Sequence, residues 1–511
     1  MKPLESTRAE RLRGLVREAL EALVLERAGT DEGFALWLDT RLAACLPHGA
    51  GTPLDPEPFR RRAEALLSGA ASRQHRRRWN DWSAGVGEAA LEELIGAAEP
   101  FLAAGRGSDA LAILKPVAEV LTEYWPECAH WDESLHEFFP VLDRMIAQAV
   151  LMDGVYRETR DALTDALDGW QREIADFGVD DAFSTAVAAC IRGWDEPGLE
   201  DVLAGRGQDW PSGERGDLPE DDALTRVRLA ALEAMGQTEA YLHLSRAAGL
   251  HCDHAVKLAQ TERVDEAVAL AHAHLSAPDD ILPLARAIAA AGRRETALDL
   301  AARGLSLPLG EGDSEDWRDK AGRVLLARWL RVAAHEAGRR DIMLRAAQVA
   351  FGESLSRGDF RAAEQLAGPA DWPGLRETLL AALKAAPCAF ERIDILLDEG
   401  LVDDAVACVD PDEAHFLSPH DSALERLAER ACATHCDWTI ALAFRMAEPI
   451  MTEGKSRSYE TAAQWLGIAA RAHAAGGRSA EWFARLEALI ETHRRKYTLR
   501  PLLEALRNVD C

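Results

Sequence analysis

Positive charge is the first shortage in this chain: Lys and Arg total 58 against 86 Asp and Glu, a net charge of −28 over 511 residues. Such a field repels a phosphate backbone on average, which excludes non-specific nucleic-acid binding by the whole molecule and leaves only local basic patches. Long apolar runs are missing too, so no segment reads as a membrane span. The opening stretch, MKPLESTRAERLRGLVREALEALVL, carries charges throughout and reads as an amphipathic helix, not a secretory leader. A disulfide framework is also lacking. The 9 cysteines run from Cys45 to Cys511 without matched spacing, and several sit in apolar helical patterns, such as Cys190 in STAVAACI and Cys408 in DDAVACVD. Buried thiols in a reducing compartment fit that pattern, and a soluble cytoplasmic protein is expected. The β-branched and aromatic residues that favour strands are sparse, while Ala, Leu, Glu and Arg dominate. Trp is the exception, with 14 copies against 5 Tyr, and reads mainly as a large wedge between packed helices.

With 48% hydrophobic and 28% charged residues the chain is ordinary globular material, not a disordered one. Its length calls for two or three domains or one extended repeat array. A recurring phrase decides between them: an apolar helix, a turn that is usually Gly-Arg, then a helix opening with an acidic and a small residue. It stands at 234–249, 258–276, 289–306, 334–351 and 396–410, with an earlier echo at 101–120. A left-handed Gly closes the first helix, and the acid favours the positive end of the second. Apolar residues spaced as Val264, Ala267, Val268 and Ala271 give each helix a buried stripe. Ala240, Ala267 and Ala297 mark copies about 27 and 30 residues apart, near the tetratricopeptide pitch, after which the spacing becomes irregular. The fold class is therefore all-α, an irregular tetratricopeptide-like solenoid of helical hairpins with an N-terminal helical region. Residues 205–222, rich in Gly, Pro and Asp, read as a linker or long loop between an N-terminal region at 1–204 and a solenoid at 223–511. A smaller loop is expected at 46–58, and later helix starts at Pro278 and in GPADWPG at 368–374.

Catalytic signatures do not emerge. HEFFP at 136–140 and HEAGR at 335–339 lack the second His of a zinc-protease helix, and no nucleophile elbow is present. Gly454, Lys455 and Ser456 imitate a phosphate loop, but Pro449 stands where its first Gly belongs; GRGSDA at 105–110 imitates a dinucleotide fingerprint between two helices. The best metal candidate is HCDH at 251–254, where His251 and His254 share a helix face beside Cys252, with His272 and His274 on the next helix. A packed helix start explains these residues better, and so it does CATHC at 432–436, which has no second ligand pair. Acidic residues read as solvated helix faces with no acid–base pair. No catalytic residue, metal or cofactor is expected.

Two basic clusters interrupt the acidic background. SRQHRRRWNDW at 72–82 sets Arg73, Arg76, Arg77 and Arg78 beside Trp79 and Trp82, and HRRK at 493–496 forms the other. Arg with Trp suits a protein interface, and also single-stranded nucleic acid through stacking and phosphate pairing; a solvated helix face is the plain alternative. The Arg/Trp segment is the candidate interaction patch.

The phrases at 251–305, KSRSYETAAQWLGIAARAH at 455–473 and HRRKYTLRPLLEAL at 493–506 resemble the C-terminal helical region of bacterial SWIM zinc-finger proteins, as does ALEELIGAAEPFLAAGRGSDALAILKPVAEVL more loosely. That family's finger has the form CxCx(n)CxH. Here no two cysteines are separated by one residue, and CAH at 128–130 and CDH at 252–254 lack the first half, so the finger and its zinc are absent. The resemblance implies the scaffold alone. The expected function is a non-enzymatic protein–protein interaction scaffold with one or more protein partners and no membrane. The alternative is a nucleic-acid-associated regulator, working through the Arg/Trp segment or through a partner chain that bears the finger.

Overall fold

A computed structural model describes residues 12, 15–45, 54–76, 85–128, 133–152, 155–207, 210, 219–308, 316–385, 390–409, 418–454 and 456–508. All regular structure among them is helical, and the chain is all-α. It divides into two compact units, Met1–Lys257 and Leu258–Cys511.

The recurring phrase folds as a helical hairpin at each place where it occurs. Gly105, Gly236, Gly292, Gly338 and Gly400 all take φ between 70° and 81°. The residue after each sends its N–H back to a carbonyl five residues earlier: Arg106 to Phe101, Gln237 to Leu232, Arg293 to Ile288, Arg339 to Ala334 and Leu401 to Leu396, at 2.8–3.1 Å. This is the Schellman closure, and it satisfies carbonyls that a helix end would otherwise leave open. Glu262 adopts the same left-handed conformation (φ 64°) where the other copies use Gly, and Arg263 closes onto Leu258. Acidic residues follow in the first turn of the next helix, as in Asp265 and Glu266 of Val264–His274 or Glu295 of Arg294–Gly304. Both later start signals hold: a helix begins at Pro278, and Gly368 (φ 66°) breaks Arg357–Ala385 ahead of Pro369.

The residues at these turns also tie one hairpin to the next within the second unit. Arg293 reaches Asp265 at 3.2 Å, Arg339 reaches Glu295 at 2.7 Å, and Arg478 reaches Asp437 at 2.5 Å. His435 stands 3.4 Å from Asp403 in the same relation. In each case the residue just before one helix faces the first-turn acid of an earlier one, so within each of two runs the helix starts stand side by side. Each pair is largely exposed, so solvent screening leaves it a small contribution on its own.

Aromatic residues join the hairpins inside each unit. In the first, Trp125, Phe139, Phe183 and Trp170 meet edge to face in a chain, with ring centres 5.3–5.9 Å apart. In the second, Phe360 touches Phe351 and Trp372, and Trp465 and Trp482 are fully buried. The indoles also act as donors: Trp194 to the Leu151 carbonyl, Trp438 to Val409 and Trp465 to Pro419, each at 2.8 Å. In these three cases an indole fills the gap between helices and at the same time satisfies a backbone carbonyl.

Candidate functional site

The expected Arg/Trp patch lies at the edge of the described residues. Arg73 and Arg76 belong to the last turns of helix Glu57–Arg76, and Arg77, Arg78, Trp79 and Trp82 fall outside the described residues. The second basic cluster is engaged locally: Arg494 pairs with Glu491 at 2.6 Å, and the Lys496 ammonium bonds the Met451 carbonyl. Both nucleotide look-alikes are helix turns. Gly105 is a left-handed helix end, and Gly107 is pressed so close to the Ala149 carbonyl and Met152 that a side chain would collide with them. Gly454 is likewise a left-handed helix end.

Several of the described histidines and cysteines make local contacts. His254 Nδ1 lies 2.9 Å from Ser245 Oγ, the Cys436 thiol faces the Cys432 carbonyl at 3.3 Å, and His435 Nδ1 lies 2.9 Å from Thr434 Oγ1. His251 and His254 lie in the first unit, His272 and His274 in the second. Among the described residues no group of three His, Cys, Asp or Glu side chains is placed to hold a metal ion. Burial pushes the Cys190 thiol up to about 11, which keeps it protonated and inert.

Two buried charge centres, neither marked out by sequence reasoning, are structural. Asp359 is 2% exposed and accepts from Arg328 Nε and Nη2 at 3.0 and 2.6 Å, Arg331 Nη1 at 3.0 Å and Ser354 Oγ at 2.8 Å. Burial acts to raise its pKa, but these donors prevail and hold it below the usual 3.8. Arg228, 1% exposed, donates to the Gly193 carbonyl at 2.8 Å and to Glu196 at 2.6 Å, and stacks over Trp210 at 5.6 Å. Ser356 to Asp359 is a capping-box spacing that could have flagged the first centre.

His473 is buried against Trp482, and neither its ring nitrogens nor the Trp482 indole N–H has a hydrogen-bond partner. Burial lowers its pKa below 6.5; Arg478 and Arg485 lower it further, against Glu481 and Asp437. The unfolded chain therefore takes up the proton first as pH falls below 6.5, and folded stability declines until the folded state protonates as well. Chemical denaturation between pH 7 and 5 should show this decline in the wild type and a flatter profile in His473→Leu. An equally steep profile in the variant would assign the effect elsewhere, with His493, also lowered by burial, the next group to replace.

Two open grooves among the described residues, one in each unit, could accept another molecule. In the second unit a groove of about 520 Å³ runs between helices Ser422–Ala431, Tyr459–Ala475 and Arg500–Ala505. Its floor is apolar and small, from Ala463, Gly467, Ile468, Leu502 and Leu506. Its rim is acidic, from Glu425, Glu429 and Glu460, and Arg471, the one cation among the described lining residues, is answered by Glu429 at 3.2 Å. The groove in the first unit, about 430 Å³, repeats the scheme between Gly85–Gly96 and Phe138–Val150: Ile95, Val141 and Met145 beneath Glu92, Glu99 and Glu137, with Arg144 beside them. The two linings offer apolar contact and negative charge.

No helix among the described residues is long and apolar enough to cross a membrane. No protein-family model matches the chain, and no curated protein matches it. Among solved structures it is similar to a circular tandem repeat protein with novel repeat topology and enhanced subunit contact surfaces, at 15% identity over 93% of this chain and 100% of that one, with a TM-score of 0.21.

Proposed function

We propose that this chain is a non-enzymatic, cytoplasmic scaffold that binds partner proteins along its stacked hairpins. The observation that carries this reading is the repetition, in two separately packed units, of a groove with an apolar floor and a glutamate rim. Hairpins stacked side by side offer such grooves because neighbouring helices leave a furrow lined by several of them. Apolar floors supply affinity, and acidic rims supply orientation and on-rate. A relationship to the helical region of SWIM zinc-finger proteins belongs to the same proposal, and would make a finger-bearing chain one class of partner.

Affinity purification of the tagged chain with and without nuclease tests this. A defined protein partner retained after nuclease treatment is the expected result. Recovery that vanishes with nuclease would replace the reading by a nucleic-acid-associated one.

A further inference from the structure

Resting on the scaffold reading, we propose that the groove of the second unit docks a basic amphipathic helix of a partner protein. Three features select that occupant. Ala463 and Gly467 stand one helical turn apart on the floor, so a partner's backbone or a large apolar side chain can approach the helix Tyr459–Ala475 closely. Ala463 and Leu502 are half-buried on the same side above the buried Ile468 and Leu506, a narrow apolar strip that suits side chains spaced three and four apart on a helix. Glu425 and Glu460 stand on different helices of the groove with no ion pair among the described residues, and Glu429 already shares Arg471, so the described rim carries excess negative charge. A strip of apolar residues flanked by Lys or Arg matches floor and walls together. An acidic helix, or a strand of nucleic acid, would meet the rim with like charge.

The floor also provides a clean way to block the groove. A methyl group at Gly467 meets only Leu506, at 3.8 Å, an ordinary contact, so Gly467→Ala narrows the groove without disturbing the fold. Ala463→Trp fills it more completely. The Glu425→Lys/Glu460→Lys pair reverses the rim while leaving the floor intact.

The probe is a labelled Leu/Lys amphipathic helical peptide, with a Leu/Glu peptide of the same pattern as control, followed by fluorescence anisotropy on the full chain. Wild type should bind the basic peptide and not the acidic one. Ala463→Trp and the double charge reversal should each weaken binding by about 10-fold or more, and Gly467→Ala by less. Circular dichroism checks that each variant is folded. Undiminished binding to Ala463→Trp would place the peptide elsewhere on the acidic surface and overturn the assignment, as would absence of binding to wild type. A wild-type dimer that Ala463→Trp dissociates would identify a second copy as the occupant, and overturns it too. If the purified partner is retained equally by wild type and Ala463→Trp, the groove assignment falls and the scaffold stands. If the peptide behaves as expected but no protein survives nuclease treatment, the groove assignment is supported and the scaffold reading falls.

Discussion

Asp359→Ala should destabilise the second unit by about 3–5 kcal/mol, the range seen when one partner of a buried ionic cluster is removed. The reason is asymmetry: the substitution deletes the acceptor and leaves its donors. Arg331 has 10% of its side chain exposed and already keeps one Nε without a partner, so its charge has no ready alternative acceptor. Ser354 and Ser356 lose their acceptor at the same time, and with them part of the ordering that starts helix Arg357–Ala385. In a unit of this size the loss corresponds to a fall in Tm on the order of 10 °C. Asp359→Asn, which keeps an acceptor of the same shape, should lose less. The acid limb carries a second signature. With a folded pKa below 3.8, Asp359 contributes stability that is present above that pH and lost as pH falls through the folded value. The Ala variant should therefore be less stable at neutral pH and less sensitive to acid. An unchanged Tm would show that the two arginines find other partners without cost.

Arg228→Ala should be the most disruptive single change in the first unit, again by about 3–5 kcal/mol. Here a buried cation holds three things together: the Gly193 carbonyl at a left-handed helix end (φ 51°), the Glu196 carboxylate and the Trp210 indole face. Removing it leaves the carbonyl and part of the carboxylate without a donor, and empties the volume beneath Trp210. Arg228→Met refills that volume and should recover part of the loss, which separates packing from polarity. Hydrogen exchange should rise first at 184–203 and 219–234, the segments Arg228 links. Exchange rising uniformly across the first unit would mean the contact is not local in effect.

The hairpins were legible because their signals are local: a Gly where the helix ends, an Arg after it, an acid in the next turn. Even the copy at 258–276 was readable, although Glu262 occupies the left-handed position there. Charge centres and grooves were not legible, because they are made by residues far apart in sequence. Glu425 and Glu460 read as members of two solvated helix faces until Leu502 and Leu506 close the furrow between them. Arg228 looks like any surface arginine of an amphipathic helix until the turn at Gly193 settles over it. The Arg/Trp segment had the reverse character, conspicuous in the sequence and lying at the margin of the described structure.

The pairing of turn residue with first-turn acid at helix starts of the second unit has a consequence for how the stack answers salt. Inside, the hairpins adhere through apolar surface, which excluded salts such as sulfate strengthen. At the helix starts they meet through exposed contact pairs, each of which contributes little and is weakened only partly by added electrolyte. An excluded salt thus strengthens the apolar interior while it weakens these pairs only slightly, so the stack as a whole is expected to tighten and not to loosen in sulfate.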